Sequence, residues 1–381
     1  MQLSRLAGLV FALGLLTTGL VGGTTVVDPD GDGVPPLTEL RHGTAVLAAD
    51  TDGDGVDDGD ETRYGTDPTA NDTDGDGFDD GAEVTAHETD PLEADTDGDG
   101  ITDVAEVLDH ETDPRASDSD ADGLSDGDEL EQSETDPRRA DTDGDGLADG
   151  TEVLEYDTDP KASDTDADGL TDGAETKRQD LFPGADPLRT DIYVEVDTME
   201  RTAFEQAEAD RIVREFETAP LENPNGSTGA SLHFVVDETL PWTSATDVGD
   251  LNEYRRRNFD RADHGYHYLV IVENVAGDSG LQNIIGKAGL GTLMVESQPE
   301  RDETGSTVMH ELGHSLGLSN ADFEGIDSTE YAFWRYRSVM NYNAPADYYG
   351  FSGGSLTGFD DWEYIDDHMF TPSTSAVTVD G

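Results

Sequence analysis

An Asp- and Gly-rich unit recurs in fixed register, beginning at Asp28, Asp50, Asp72, Asp95, Asp118, Asp141 and Asp164, with spacings of 22 or 23 residues. No other feature limits the first half of the chain so tightly. Each unit opens on twelve residues such as DTDGDGVDDGDE (50–61), which follow the loop pattern D-x-D/N-x-D/N-G-x5-E. Oxygens from positions 1, 3 and 5, a backbone carbonyl from 7, position 9 and a bidentate carboxylate at 12 can enclose one Ca²⁺. In this unit the side chains are Asp50, Asp52, Asp54, Asp58 and Glu61, with Gly55 at the sharp bend. The set returns as Asp72, Asp74, Asp76, Asp80 and Glu83, as Asp95, Asp97, Asp99, Asp103 and Glu106, and as Asp118, Asp120, Asp122, Asp126 and Glu129. It closes with Asp141, Asp143, Asp145, Asp149 and Glu152, then Asp164, Asp166, Asp168, Asp172 and Glu175. The first unit, DPDGDGVPPLTE, keeps Asp28, Asp30, Asp32 and Glu39 but places Pro36 at position 9, the poorest match. A single such run would read as a solvated acidic tail. Seven in register point to ion-binding loops.

Between loops only ten or eleven residues remain, too few for two flanking helices. One short helix fits, with a recurring T-D-P (Asp90-Pro91, Asp113-Pro114, Asp136-Pro137, Asp159-Pro160) expected to end it. Each unit has one loop hydrophobe (Val56, Phe78, Ile101, Leu124, Leu147, Leu170) and one or two more in its helix. That apolar area does not offset chain entropy, so bound metal must supply the difference and its removal should unfold the array. The stretch 28–175 resembles the thrombospondin type 3 and related calcium-repeat arrays of secreted proteins. The resemblance implies a rod-like spacer or tether that binds Ca²⁺.

The formal charge is −67; residues 28–190 hold 53 acidic and nine basic residues, residues 191–381 hold 35 and 11. Such self-repulsion opposes compaction unless cations screen it, and it disfavours nucleic acid and anionic membranes as partners. Three Lys (Lys161, Lys177, Lys287) stand against eighteen Arg, a bias that, with abundant Asp, resembles proteins of halophilic archaea. With no Cys, disulfides, thiolate metal sites and a cysteine nucleophile are excluded. The start, MQLSRLAGLVFALGLLTTGLVGG, places one Arg before an apolar run from Leu6 to Val21, the layout of a secretory signal; an uncleaved anchor is the competing reading. Either way the chain is expected to be exported, as a secreted or cell-surface protein. The divisions are a signal at 1–27, the repeat array at 28–187 and a globular domain at 188–381.

That domain alternates strand and helix patterns. TDIYVEVDTM, ASLHFVVDET and GYHYLVIVENV read as strands, and GLGTLMVES as a further strand suited to a sheet edge. Within 201–217, Phe204, Ala207, Ile212, Val213 and Phe216 fall on one helical face. The following HELGH puts His310 and His314 one helical turn apart with Glu311 beside them, and Ser306 or Thr307 suits the N-cap. Two imidazoles so spaced can hold Zn²⁺ while the Glu acts as general base and acid. Gly317 marks the end of the helix three residues after His314, and SVMNY (338–342) follows about twenty residues on.

With these motifs, residues 190–345 resemble the metzincin metallopeptidases, whose pattern is HExxHxxGxxH or HExxHxxGxxD followed by a Met-containing turn. The resemblance implies a zinc-dependent endopeptidase acting on protein or peptide. It also implies Met340 as the turn methionine beneath the metal, and Tyr342 as a tyrosine that assists the metal or the oxyanion, or else a core residue. The implied fold is an α/β (α+β) metzincin-like domain with a twisted mixed sheet and an active-site helix, preceded by an elongated array of calcium-binding loop and short-helix repeats.

The chain departs from the family at the third ligand position, where Asn320 stands and a neutral amide binds zinc poorly. Asp327, which Gly325 leaves free to turn back, is the first candidate; Asp322, Asn320 itself and His368 are the others. A site without metal would instead make the chain a non-catalytic calcium-binding surface or adhesion protein with a decayed protease domain. The remaining histidines, His42, His87, His110, His233, His264 and His267, read as structural or solvent-facing, and Trp362 and Tyr364 as packing for the C-terminal lobe.

Overall fold

The computed structural model describes residues 27–276, 286–289, 291–298, 304–319, 321–329, 331–333, 335–354 and 357–368. Contacts divide the chain into two compact units, one ending at Arg138 and one beginning at Arg139.

In the first unit, repeat length decides how each helix ends. The two 22-residue repeats carry helices Pro36–His42 and Asp58–Tyr64, stopped by Gly43 and Gly65 at φ 90° and 91°. Glycine adopts this left-handed backbone without a Cβ penalty. The 23-residue repeats absorb their extra residue as a wide turn. After Asp80–Ala82 the segment Glu83–His87 closes with an i→i+5 bond, Glu88 N to Glu83 O at 2.7 Å, and Glu88 takes the left-handed role at φ 60°. Glu111 and Glu134 repeat this at φ 61° and 57°. The helices therefore stop at a left-handed residue ahead of T-D-P, so proline is not the terminator that the sequence suggested. His87 stacks on Phe78 with ring centroids 4.2 Å apart, so it packs rather than simply facing solvent.

The second unit is built on a five-stranded sheet of β1 (Asp191–Met199), β2 (Ser231–Leu240), β3 (His267–Val272), β4 (Gly286–Gly289) and β5 (Thr292–Glu296), in the order β2-β1-β3-β5-β4. Four strands run parallel and β4 pairs antiparallel to β5. The GLGTLMVES strand is thus interior, because the short β4 covers the edge expected for it. Helices α1 (Gln206–Glu217), α2 (Val248–Asn258), α3 (Thr304–Ser315) and α4 (Asp361–His368) complete the unit.

Alternation along β1 separates two cores. Ile192, Val194 and Val196 join Ile212, Phe216, Leu269, Val308, Leu312 and Trp362 on one side. Tyr193 and Met199 join Tyr268, Leu251, Phe259 and, from the last repeat, Leu170 and Ala174 on the other. On α1 the buried stripe is Ala209, Ile212 and Phe216. Ala207 is exposed, because five residues place it about 140° around the helix from Ile212; Phe204 precedes the helix, whose N-cap is Glu205, and with Val213 packs against the same core. Among the described residues no helix is long and apolar enough to cross a membrane; the apolar run Leu6–Val21 lies outside them.

Candidate metal centres

Helix α3 is fixed at both ends. At its start Gly305 N donates to Glu208 Oε1 of α1 at 2.9 Å, and Gln298 N donates to Thr304 Oγ1 at 2.8 Å. Glu208 is buried, so its carboxylate offsets the positive end of the helix from inside the fold. The helix includes Ser306 and Thr307, which are therefore not its caps; the Ser306 hydroxyl bonds the Ala346 carbonyl instead. At its end Leu318 N reaches Gly313 O at 3.0 Å and Gly317 N reaches His314 O at 3.1 Å, with Gly317 at φ 106°. This paired closure needs a left-handed residue, which Gly317 supplies.

The same closure orients one imidazole. His314 Nδ1 lies 2.7 Å from Leu318 O, and His310 Nδ1 lies 2.9 Å from Val339 O. A carbonyl only accepts, so each Nδ1 donates and each Nε2 is left to face the site. Both Nε2 atoms lie 3.1 Å from Asp327 Oδ1. A tetrahedron with metal–ligand bonds of about 2.0 Å has edges of roughly 3.3 Å, so this donor set fits Zn²⁺ in spacing and in chemistry.

Asp327 is brought there by its own backbone. It adopts φ 54°, a left-handed conformation that Asp tolerates, whereas Gly325 shows no positive φ. Gly325 is small for another reason: a Cβ there would lie 2.3 Å from the Phe323 ring. The Asp327 loop is tied to the SVMNY turn by Asp327 N to Met340 O at 3.0 Å and Tyr342 N to Ser328 O at 3.2 Å. Met340 is fully buried against α3, and a Cβ on Gly313 would meet its sulfur at 2.6 Å.

The other candidates for the third position stand elsewhere. Asp322 accepts from Ser319 N at 3.1 Å and from Ser319 Oγ at 2.6 Å. His368 stacks on Tyr364 at the end of α4, with centroids 4.0 Å apart. Asn320 lies outside the described residues.

Burial would raise the Asp327 carboxyl, but hydrogen bonds and charge from His310 and His314 outweigh it and hold the group below its usual range. For His314 the balance is reversed: burial lowers it, yet Asp327 carries it above its ordinary value. Glu311, buried beside them, is raised by desolvation. Tyr342 is 60 % exposed, which removes it from the core, and its ring stacks on His310 at 5.7 Å. Partial burial and the neighbouring carboxylates of Asp327 and Glu311 push its phenol to about 12.

The repeat loops share one pattern. The position-1 acid accepts from two loop amides, as Asp50 does from Gly53 at 2.7 Å and Gly55 at 3.1 Å. One oxygen each of Asp52, Asp74, Asp97, Asp120, Asp143 and Asp166, and of Glu61, Glu83, Glu106, Glu129 and Glu152, is buried without a hydrogen-bond partner among the described residues. Burial, then the charge of neighbouring Asp, raises Glu61, Glu83, Glu106, Glu129 and Glu152 to about 8. Orphaned, desolvated carboxylates in this number fit a hard cation, which takes oxygen ligands. The clusters also cross repeat boundaries: Asp54 and Glu61 meet Asp80 of the next unit, and Asp32 and Glu39 meet Asp58, with ligand atoms within 4.8 Å. Reaching back in this way was not visible in the loop pattern, which assigns position 9 to its own loop. The first unit joins the scheme despite Pro36.

The family model of the bacterial TSP3 repeat matches residues 50–70, 72–94, 95–114, 118–140, 141–162 and 164–177. No curated protein matches the sequence. Similar solved structures include archaemetzincin from Methanopyrus kandleri, at 12% identity over 47% of this chain and 96% of that one, TM-score 0.31. Metalloproteinase-II from Bacteroides fragilis is 11% identical over 46% of this chain and 52% of that one, TM-score 0.31. A zinc-dependent peptidase from Methanocorpusculum labreanum is 12% identical over 39% of this chain and 87% of that one, TM-score 0.24.

Glu208 and the Val339 carbonyl serve α3 and His310 from distant sequence, and no local signal marks either. The Leu318 carbonyl was accessible from sequence, since a glycine three residues after His314 implies a closure that turns that carbonyl back.

Proposed function

We propose that the chain is an exported zinc-dependent endopeptidase whose metzincin-like domain follows calcium-binding repeats. The observation that carries this is the convergence of His310 Nε2 and His314 Nε2 on Asp327 Oδ1, each at 3.1 Å, with Glu311 buried beside them. In this reading His310, His314 and Asp327 hold the ion. Zinc bound there would supply Lewis acidity to water and to a peptide carbonyl. Glu311 takes the proton of the attacking water and delivers it to the leaving amine; desolvation raises its carboxyl above the usual range, the direction that favours proton uptake. Tyr342 keeps its phenolic proton and donates a hydrogen bond to the carbonyl oxygen as negative charge develops. The carbonyls of Val339 and Leu318 hold the imidazoles in place, and Met340 supports the helix from below.

The non-catalytic adhesion reading drew its support from Asn320. With a carboxylate beside both imidazoles, no observation favours it. Export is supported by the Arg5-plus-apolar start and the calcium repeats, and halophilic adaptation by the −67 charge and Lys-poor composition. Cell-surface association fits either fate of the leader.

The test is Glu311→Gln in protein refolded with Ca²⁺ and zinc. Cleavage of an unstructured protein substrate should fall at least ~10²-fold, on the scale of a lost general base, while zinc stays bound. Unchanged turnover would remove Glu311 from the mechanism.

A further inference from the structure

Inside the array, position-5 and position-12 acids are closed by the next repeat, as Asp32 and Glu39 are by Asp58. Asp54 and Glu61 receive Asp80, and the adjacent amide, Gly81 N, donates to Asp54 Oδ2 at 3.1 Å. Gly127 N does the same to Asp99 Oδ2 at 3.0 Å. The repeat beginning at Asp164 has no successor. Its corresponding acids, Asp168 and Glu175, meet strand β1 instead. Asp191 N donates to Asp168 Oδ2 at 2.5 Å, occupying the same oxygen that a following repeat would use.

The environment there is unfavourable to bare acids. Asp168, Glu175 and Asp191 are 2 %, 0 % and 2 % exposed. Both carboxylate oxygens of Glu175, and Oδ2 of Asp166, are buried without a hydrogen-bond partner among the described residues. The charges of Asp168, Asp166, Asp191 and Asp172 all bear on Glu175. Leu170 and Ala174 are locked into the core with Phe182 and Tyr193, so this loop cannot turn its acids outward without unpacking that core. A buried carboxylate cluster of this kind needs a cation or protons.

We propose that Asp168, Glu175 and Asp191 bind a calcium ion at the junction of the last repeat and β1, with Asp191 replacing the position-9 acid of an absent repeat. Asp191 Oδ1 also contacts His233 Nε2, and Oδ2 accepts from Asp186 N at 2.9 Å. A carboxylate has about four acceptor positions, so each oxygen retains one for the ion. The site would couple calcium to the stability of the sheet itself, because β1 is an interior strand. This rests on the calcium reading of the repeats but adds a ligand from outside them.

The experiment uses the full chain, with bound calcium counted after dialysis and core melting followed by tryptophan fluorescence, Trp362 being buried. Asp191→Asn and Glu175→Gln should each hold one ion fewer than the parent and lose at least half of the calcium-dependent rise in core melting temperature. If both hold the parental number with the parental rise, the junction site is wrong while the repeat sites stand. Should the parent itself bind no calcium, both fail together. Because Glu175 also closes its own loop, the decision rests on Asp191: should Asp191→Asn fail to melt as a cooperative unit, Asp191→Ser, which likewise removes the carboxylate, is read in its place with the same expected loss of one ion.

Discussion

Asp327 is held by two demands at once, a left-handed backbone at φ 54° and a carboxylate oxygen shared between two imidazoles. Its lowered carboxyl and the raised His314 give the metal-free protein a definite pH signature. A depressed acid stabilises above its unfolded value, near ~3.9, and that contribution is lost as pH falls through its lower folded value. A raised histidine stabilises fully below its unfolded value, near ~6.5, and that contribution is lost as pH rises through the higher folded one. The pair therefore helps most between about pH 4 and 6.5. Thermal melting of zinc-free protein should show this maximum, and Asp327→Ala should flatten it. An identical profile in the variant would mean the three groups are not coupled.

At the scale of elements, α3 and the SVMNY turn act as one body. A methyl added at Gly313 would lie 2.6 Å from the Met340 sulfur and 2.8 Å from the Phe351 ring. Gly313→Ala should cost about 1–3 kcal/mol by overpacking, roughly 2–12 °C in melting temperature, and weaken zinc binding through the displaced helix. A melting temperature equal to the parent's would show that the turn yields freely. The sequence made α3 and its histidines legible because a 3.6-residue period fixes which side chains share a face. It did not reveal the αL aim of Asp327, since the glycine nearby suggested the freedom that Asp327 itself provides. The sheet edge was misassigned because β4, a four-residue GKAG strand, carries no hydrophobic period. The wide helical turns follow from one inserted residue per repeat, a signal present in the 22- versus 23-residue spacing.

Over the whole molecule, a charge of −67 makes folding a question of cations. The repeat glutamates raised to about 8 set the sign of the metal-free response. Acids raised in the folded state stabilise it fully below their unfolded value, near ~4.3, and that help fades as pH climbs toward 8. Without calcium, repeat structure measured by circular dichroism should therefore be greater at pH 5 than at pH 8, and excess Ca²⁺ should abolish the difference. Chelator that leaves the spectrum unchanged at pH 8 would contradict the dependence of residues 28–175 on metal. The most direct trial of the central claim is anomalous diffraction at the zinc edge from zinc-loaded crystals. The account predicts one strong peak bonded to His310 Nε2, His314 Nε2 and an Asp327 carboxylate oxygen at about 2.0–2.2 Å. No peak there, or one coordinated without Asp327, would contradict it.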